Sequence, residues 1–398
     1  MQVDILRGKD HIGGNIIKVT DGETAILLDC GAMLPEIDQP KVEDTFDISR
    51  IGKVAAIFLS HHHGDHAGLL EKLPPEVDLF TSAETKTFMD LVDTFLGKPL
   101  RTIGRNIHIL SDNQSVKVGS FEVTPVGVKH SAEGSIMFIV RSGGKGILYT
   151  GDYKTTEGFK TSGIDLMITE GTMLTRNGQA YPDEEAVEIA LKKVMTETKG
   201  RIFVLQSSAN IPRIHSIANA NVNSRPLMQD VFLRYILEGM GHKVLISRYA
   251  FVWHRFSVNT EKPCDLLAKR LHDSREASTF GAIAKLPQAI VFLRSSMLSA
   301  MKKLINNGIN ISNDAFIFSI WRGYEKDPKT AALLKLFAEH GVLPQYIHTS
   351  GHADKRQIQE LIQNVNPARI ACVHSEDTSM ISEIVGNILV EKGERIVL

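Results

Sequence analysis

Short apolar runs broken by turn residues fill the first third of the chain. "NIIKVT", then Gly22, then "TAILLDCG" predicts a hairpin of two strands. "VAAIFL", Val54 to Leu59, has the length and content of a buried strand, and "GILYTGD" and "DLMITEG" each end a further one. Between them "TKTFMDLVDTFLG" reads as a helix. Strands and helices mixed in this way predict a layered α/β architecture.

From about residue 183 the texture changes. "DEEAVEIALKKVMTET" predicts a helix with an acidic start and a basic later half, which the helix dipole favours. "RIFVLQSS" predicts a buried strand. Further strand and helix segments follow in "HKVLISR", "AIVFLRSS" with "MLSAMKKLI", "AFIFSI" and "TAALLKLFAEHG". A second α/β unit over 175–340 is the expectation. The last sixty or so residues return to the earlier style, and "PARIACVHSE" reads as a strand that ends on a histidine. No internal repeat or low-complexity tract interrupts the pattern.

A chain of 398 residues is long for a single ordinary core, which agrees with two units or one large domain carrying an insertion. Hydrophobic content of 43% and charged content of 23% are those of a globular protein. The net charge of −1 gives no overall pull toward nucleic acid or membrane. It hides an asymmetry. Residues 1–50 carry ten acids and five bases, whereas 241–305 carry eleven bases against four acids. That second segment is a candidate polyanion-binding face, although a solvated helical surface has the same composition. Three cysteines, Cys30, Cys264 and Cys372, make no disulfide framework and fit a reducing, cytoplasmic setting. "MQVDILRGKD" has charges where a signal peptide needs an apolar stretch, and no apolar run approaches the ~20 residues of a membrane span.

The chemistry concentrates in "LSHHHGDHAG", which follows "VAAIFL" directly. On an extended segment alternate residues point the same way. His61 and His63 can therefore reach one ion, His62 points away, and Asp65 and His66, past Gly64, turn toward a second. Imidazole and carboxylate suit Zn²⁺, with Mn²⁺ also compatible. Such a pair of ions needs more donors than one loop supplies. Other strand ends offer them: His130 in "GVKHSAEGS", Asp152 in "ILYTGDYK" and His374 in "IACVHSE".

H-x-H-x-D-H followed by a later His and a later Asp resembles the motif series of the metallo-β-lactamase fold. The resemblance implies an αββα sandwich. It implies that His61, His63 and His130 hold one zinc, that Asp65 and His66 hold another, and that Asp152 bridges them. Glu170 in "LMITEGT", His352 in "IHTSGHA" and His374 in "CVHSE" resemble motifs A, B and C of the β-CASP nucleases. In these an α/β domain is inserted into the sandwich, so the implied organisation is 1–174, an insertion over 175–340, and a return over 341–398. "VLQSSANIPRI" resembles the S-S-N-x-x-R segment of ribonuclease J.

By resemblance the reaction is zinc-dependent RNA phosphodiester hydrolysis, as an exonuclease, an endonuclease or both, leaving 5′-phosphate ends. His352 would be the general acid, Glu170 would orient it, and His374 would add a ligand to the second zinc. Ser207, Ser208, Asn210, Ser295, Ser350 and Gly351 are candidates for holding a terminal phosphate, though Ser and Asn at strand ends commonly serve as turn and capping residues. Trp253 and Trp321 could stack on bases, while core packing is the ordinary reading of each. Three departures stand out: the chain ends at Leu398 without the C-terminal domain usual in ribonuclease J, motif C reads "CVHSE" rather than P-x-H-G-E, and "FIFSIWRGYE" lacks a P-G-N turn. They bear on end recognition and on whether the protein pairs as a homo-oligomer. A DNA-directed nuclease, a thioester or lactone hydrolase of the same fold, and a non-catalytic scaffold are the alternative functions.

Overall fold

The computed structural model describes residues 1–37, 43–176, 180–246, 250–252 and 262–398. Among them run three seven-stranded sheets. The first has the order Arg395–Val397, Gln2–Arg7, Ile16–Asp21, Thr24–Leu28, Ala56–Phe58, Asp78–Thr81, Ile107–Ile109. The second has the order Leu389–Glu391, Arg369–Val373, Leu166–Glu170, Lys145–Tyr149, Ile136–Ser142, Phe121–Gly127, Val116–Val118. The expected hairpin is the antiparallel pair Ile16–Asp21 and Thr24–Leu28.

Alternation along the strands makes these two sheets a sandwich. Ile26, Leu28 and Phe58 of the first sheet meet Phe138, Val140, Ile147, Tyr149, Leu166 and Ile168 of the second in one core. The residues between them face outward and are buried too. Leu27, Ile57 and Leu59 pack under Leu69, Leu70, Leu73 and Met89. Leu148 and Met167 pack under Ile358, Leu361, Ile362 and Val365, one apolar stripe of the helix Lys355–Val365. Asp354 and Gln357 close a capping box at the start of that helix. Strands buried on both faces read as continuous apolar runs rather than alternating ones, which is why "VAAIFL" and "GILY" carry no polar positions.

The third sheet is parallel throughout, in the order Ala277–Thr279, Ala250–Val252, Leu227–Asp230, Ile290–Leu293, Ile202–Leu205, Ala315–Phe318, Pro344–Tyr346. Helices cover both faces, with Ile202 and Val204 in one core and Phe203 and Leu205 in the other. Two details differ from the expectation. The sheet runs on to Pro344–Tyr346, past residue 340. And "HKVLISR" does not supply a strand over its described part: Lys243–Leu245 is a short 3-10 turn in which Leu245 is buried and Val244 exposed. One anchor residue is enough there, so the apolar run is not pulled into a sheet.

The helix Ala83–Leu96 joins the units. Met89 belongs to the outer core of the first sheet, while Phe88 packs with the helices of the third. No described helix is long and apolar enough to cross a membrane.

Candidate metal centre

Strand direction puts the donors at one edge. Thr24–Leu28 and Ala56–Phe58 are parallel, as are Lys145–Tyr149, Leu166–Glu170 and Arg369–Val373. Phe121–Gly127 runs the same way as Lys145–Tyr149, since each is antiparallel to Ile136–Ser142. Their C-terminal ends therefore open on a common rim, from which His61, His130, Asp152, Glu170 and His374 project.

Within the histidine run the backbone changes character. His63 is extended, and Gly64–Ala67 is a single helical turn that re-aims Asp65 and His66. The turn is held by the segments on either side of the hairpin: Asn15 N–H donates to Asp65 C=O (3.0 Å), Cys30 N–H to His66 C=O (2.8 Å) and Ala32 N–H to Gly64 C=O (2.9 Å). Gly31 allows this approach, because a Cβ there would lie 1.7 Å from the Asp65 carbonyl oxygen. His62 turns away and stacks on Phe88, with centroids 3.8 Å apart.

Asp152 is the hub. Its Oδ2 lies 3.2 Å from His66 Nε2, 3.6 Å from His352 Nδ1, 3.7 Å from His374 Nε2, 3.9 Å from His61 Nε2 and 4.0 Å from His130 Nε2. Its Oδ1 is buried without a hydrogen-bond partner, as are His61 Nε2 and His66 Nε2. Donors gather in three sets: His61, His63 and His130; Asp65, His66, Asp152 and His374; and Asp152, Glu170, His352 and His374, the last two sharing Asp152 and His374.

The outer hydrogen bonds set the tautomers. His66 Nδ1–H donates to Asp29 Oδ2 (2.7 Å) and His130 Nδ1–H to Gly351 C=O (2.7 Å). Ser60 donates its hydroxyl to Asp29 (2.7 Å), so its oxygen accepts from His61 Nδ1–H (3.0 Å). Thr172 donates to His374 C=O (3.2 Å) and accepts from His374 Nδ1–H (2.8 Å). Each of these four rings thus aims its Nε2 at the centre; His66, between Asp152 and Asp29, is held well above the usual histidine range against the effect of burial. Burial, with the neighbouring imidazoles, holds His61 and His130 well below the usual histidine range, which favours the neutral ligating form. Against the effect of burial, His374, His66 and His352 hold Asp152 well below the usual carboxylate range. Imidazole nitrogens facing a buried carboxylate, with orphaned atoms among them, fit a divalent metal cofactor.

Asp29, which the sequence reading passed over, supports this arrangement. It accepts from Ser60 N–H (2.7 Å), the Ser60 hydroxyl, His66 and the Tyr149 hydroxyl (2.6 Å). The available signal was the same as for Asp152, an acid directly after an apolar strand, in "ILLDCG". Four donors need a carboxylate, and a neutral amide would turn an N–H toward one of them. Asp29 also has a φ of 62°, which Asn tolerates, so Asp29→Asn tests charge rather than backbone. We expect it to weaken metal affinity about 10–100-fold, read by competition with a chromogenic chelator. Unaltered affinity would remove Asp29 from the supporting role.

Glu170 is wholly buried and binds the ring of His352, Oε2 to Nδ1 2.9 Å. Tyr153 N–H holds its other oxygen at 3.0 Å. Burial would lower the His352 pKa, but Glu170 and then Asp152 raise it to about 9.

Residues 24–199 match the family described as the beta-lactamase superfamily domain. Residues 343–383, which carry His352 and His374, match the Zn-dependent metallo-hydrolase RNA specificity domain. The chain is thus similar to ribonuclease J and to proteins of the metallo-β-lactamase/β-CASP type. It is 24% identical over 387 residues to "Ribonuclease J" of Sinorhizobium meliloti, covering 88% of this chain and 64% of that protein. Against "Ribonuclease J" of Mycobacterium tuberculosis it is 25% identical over 410 residues, covering 94% and 68%. The chain thus spans about two thirds of the length of these curated relatives. The crystal structure of a protein of unknown function from Enterococcus faecalis V583 has the same fold, with a TM-score of 0.76 at 21% identity, covering 100% of this chain and 99% of that one.

Around this centre the weaker candidates divide. Ser350 and Gly351 join the centre: Ser350 Oγ accepts from His352 N–H (3.1 Å), and Gly351 C=O orients His130. Asn210 Oδ1 instead caps the helix Ile211–Asn219 by accepting from Arg213 N–H. Ser207 Oγ accepts from Ala209 N–H in the same turn. Ser208 is buried, and Ser295 opens the short turn Ser295–Met297. Arg213 is fully buried, donating to Glu184 (2.6 Å) and Ser319 Oγ (2.6 Å). Within the basic segment Arg294 pairs with Asp230 and Arg270 with Glu238, while Lys302 and Lys303 are exposed on the helix Leu298–Asn306. Arg248, Arg255 and Trp253 lie outside the described residues. Trp321 is not a core residue: it is 42% exposed.

Proposed function

We propose that the chain is a metal-dependent ribonuclease that cleaves RNA phosphodiesters and leaves 5′-phosphate ends. The observation that carries this reading is the Asp152 carboxylate, surrounded by five histidines, with the Glu170–His352 pair beside it. The matched RNA specificity domain and the names of the relatives support RNA as the substrate.

In this reading His61, His63 and His130 hold one Zn²⁺, Asp65, His66 and His374 hold a second, and Asp152 reaches both. The bound ions would lower the pKa of water toward ~7 and offset charge growing on the phosphoryl oxygens. The protein's own residues do the rest. Asp29, Ser60, Thr172 and the Gly351 carbonyl keep the rings oriented. Glu170 engages His352 at Nδ1, so Nε2 is the nitrogen left to give a proton to the departing 3′-oxygen. With its pKa raised, His352 is protonated at neutral pH and can act as that acid. Ser350 and Gly351, adjacent to His352, are the candidates for meeting a strand's terminal phosphate.

The same proposal divides the chain into a sandwich, 1–174 and the return segment, and an inserted β-CASP unit built on the third sheet. The return begins near 341, and the pairing of Pro344–Tyr346 with Ala315–Phe318 supports a start a few residues later.

The test is one incubation of metal-loaded protein with a 5′-monophosphorylated RNA of defined length beside the same DNA sequence. Stepwise or internal cleavage of RNA is the expected outcome. Cleavage of DNA alone would move the substrate class, and hydrolysis of thioesters or lactones with both nucleic acids intact would sink the nuclease reading.

A further inference from the structure

Two aromatic side chains of the third sheet's rim are not used by the chemistry above. Trp321 and Tyr324 follow the strand Ala315–Phe318, and they are 42% and 46% exposed. Among the described residues they are the only Phe, Trp or Tyr so open to solvent. Leaving two large rings in water forgoes much of the free energy that folding gains elsewhere by burying them.

Their surroundings place them at the metal centre. The Arg176 guanidinium lies 4.5 Å over the Trp321 ring. Arg176 comes six residues after Glu170, and it reaches the carboxylate of Glu376 (3.5 Å), two residues after His374. Trp321 is thus tied to the two segments that carry Glu170 and His374. Tyr324 meets it edge to face, with centroids 6.1 Å apart and planes at 81°. The indole also packs close against the backbone of its own turn. A Cβ on Gly323 would fall 2.2 Å from the indole, so only glycine lets that ring lie back on its own turn. Arg322, between them in sequence, stacks on Tyr346 at 4.1 Å and pairs with Glu325.

We infer that Trp321 and Tyr324 form a stacking rim for a nucleobase of single-stranded RNA next to the phosphate being cut. A scissile phosphate over Asp152 brings its neighbouring base to the rim of the site. Unpaired bases offer π-faces whatever their identity, so an aromatic rim adds affinity with little sequence preference. The adjoining arginines, Arg176 and Arg322, supply positive charge for the same strand. This assignment rests on the ribonuclease reading and extends it to how the substrate is held.

The test compares W321A and Y324A with W321F and Y324F, all metal-loaded. Two substrates are used: an oligoribonucleotide and bis(p-nitrophenyl) phosphate, a phosphodiester with no nucleobase. The alanine variants should raise KM for RNA by about tenfold more than for the small diester, with kcat less affected. The phenylalanine variants should recover most of the loss. Abasic residues scanned along the RNA should erase the difference between W321A and the unmodified protein at one position. Equal losses on both substrates, or phenylalanine variants as poor as alanine ones, would overturn the stacking rim while the nuclease reading stands. Unmodified protein that cleaves the small diester but no RNA would remove both.

Discussion

His352→Ala should lower RNA cleavage by about 10²–10⁴-fold while the protein keeps its full metal content, because an acid is lost and no proposed ligand is touched. The geometry behind this is the Glu170 Oε2 contact to His352 Nδ1 at 2.9 Å, which leaves the far nitrogen for the leaving group. KM should change less than kcat, since the proton is needed only as the P–O bond breaks. The pH profile gives a second readout. His352 is protonated below its raised pKa of about 9 and loses the proton above it, so activity should fall on the alkaline side. Bound cations would oppose the Asp152 contribution and leave Glu170 as the main support of that raised pKa. Glu170→Gln removes the negative charge, so the alkaline limb should move to lower pH. Loss of metal from the His352→Ala protein would instead make His352 a ligand, a reading its 3.6 Å distance to Asp152 Oδ2 allows.

Asp152→Ala should remove both metal binding and activity, the latter by roughly a thousandfold or more, since several kcal/mol of charge stabilisation depend on the ions. No other described carboxylate stands within 4.0 Å of His61, His66, His130, His352 and His374 together. Thermal unfolding checks this without an activity assay. A ligand that binds only the folded state at about 100 times its Kd adds about 2.7 kcal/mol of stability. Added Zn²⁺ should therefore raise the melting temperature of the unmodified protein and leave that of Asp152→Ala unmoved. A variant that still takes up its full complement of metal would show that Asp152 is not the common ligand.

The candidate donor residues were legible from the chain because their signal is local. His61, His63, Asp65, His66, His130, Asp152, Glu170 and His374 all follow short apolar runs, and a titratable group just past a buried strand has few structural uses. That they gather at one edge was implicit in the mixed strand and helix order, although strand direction had to be known to see it. Asp29 carries the same local signal and was missed because its role shows only in its partners, Ser60, His66 and Tyr149, the last 120 residues away. Asn210 looked like a phosphate contact and caps a helix, a use the sequence left open.

What the sequence determined by itself, then, was the type of layer and the kind of chemistry. Strand periodicity, apolar run length and metal-donor spacing are properties of neighbouring residues. The tertiary structure alone decided exposure and partnership. Trp321 has a side chain suited to a core and stands in solvent, because it lies in the turn beyond the end of the strand Ala315–Phe318. Pro344–Tyr346 is too short and polar to announce itself and becomes a strand because Ala315–Phe318 offers an open edge. Thr172 orients His374 across 202 residues of chain. Burial, hydrogen-bond partners and the fields that shift a proton depend on what packs against a residue, and the packing partners come from segments that no local pattern links.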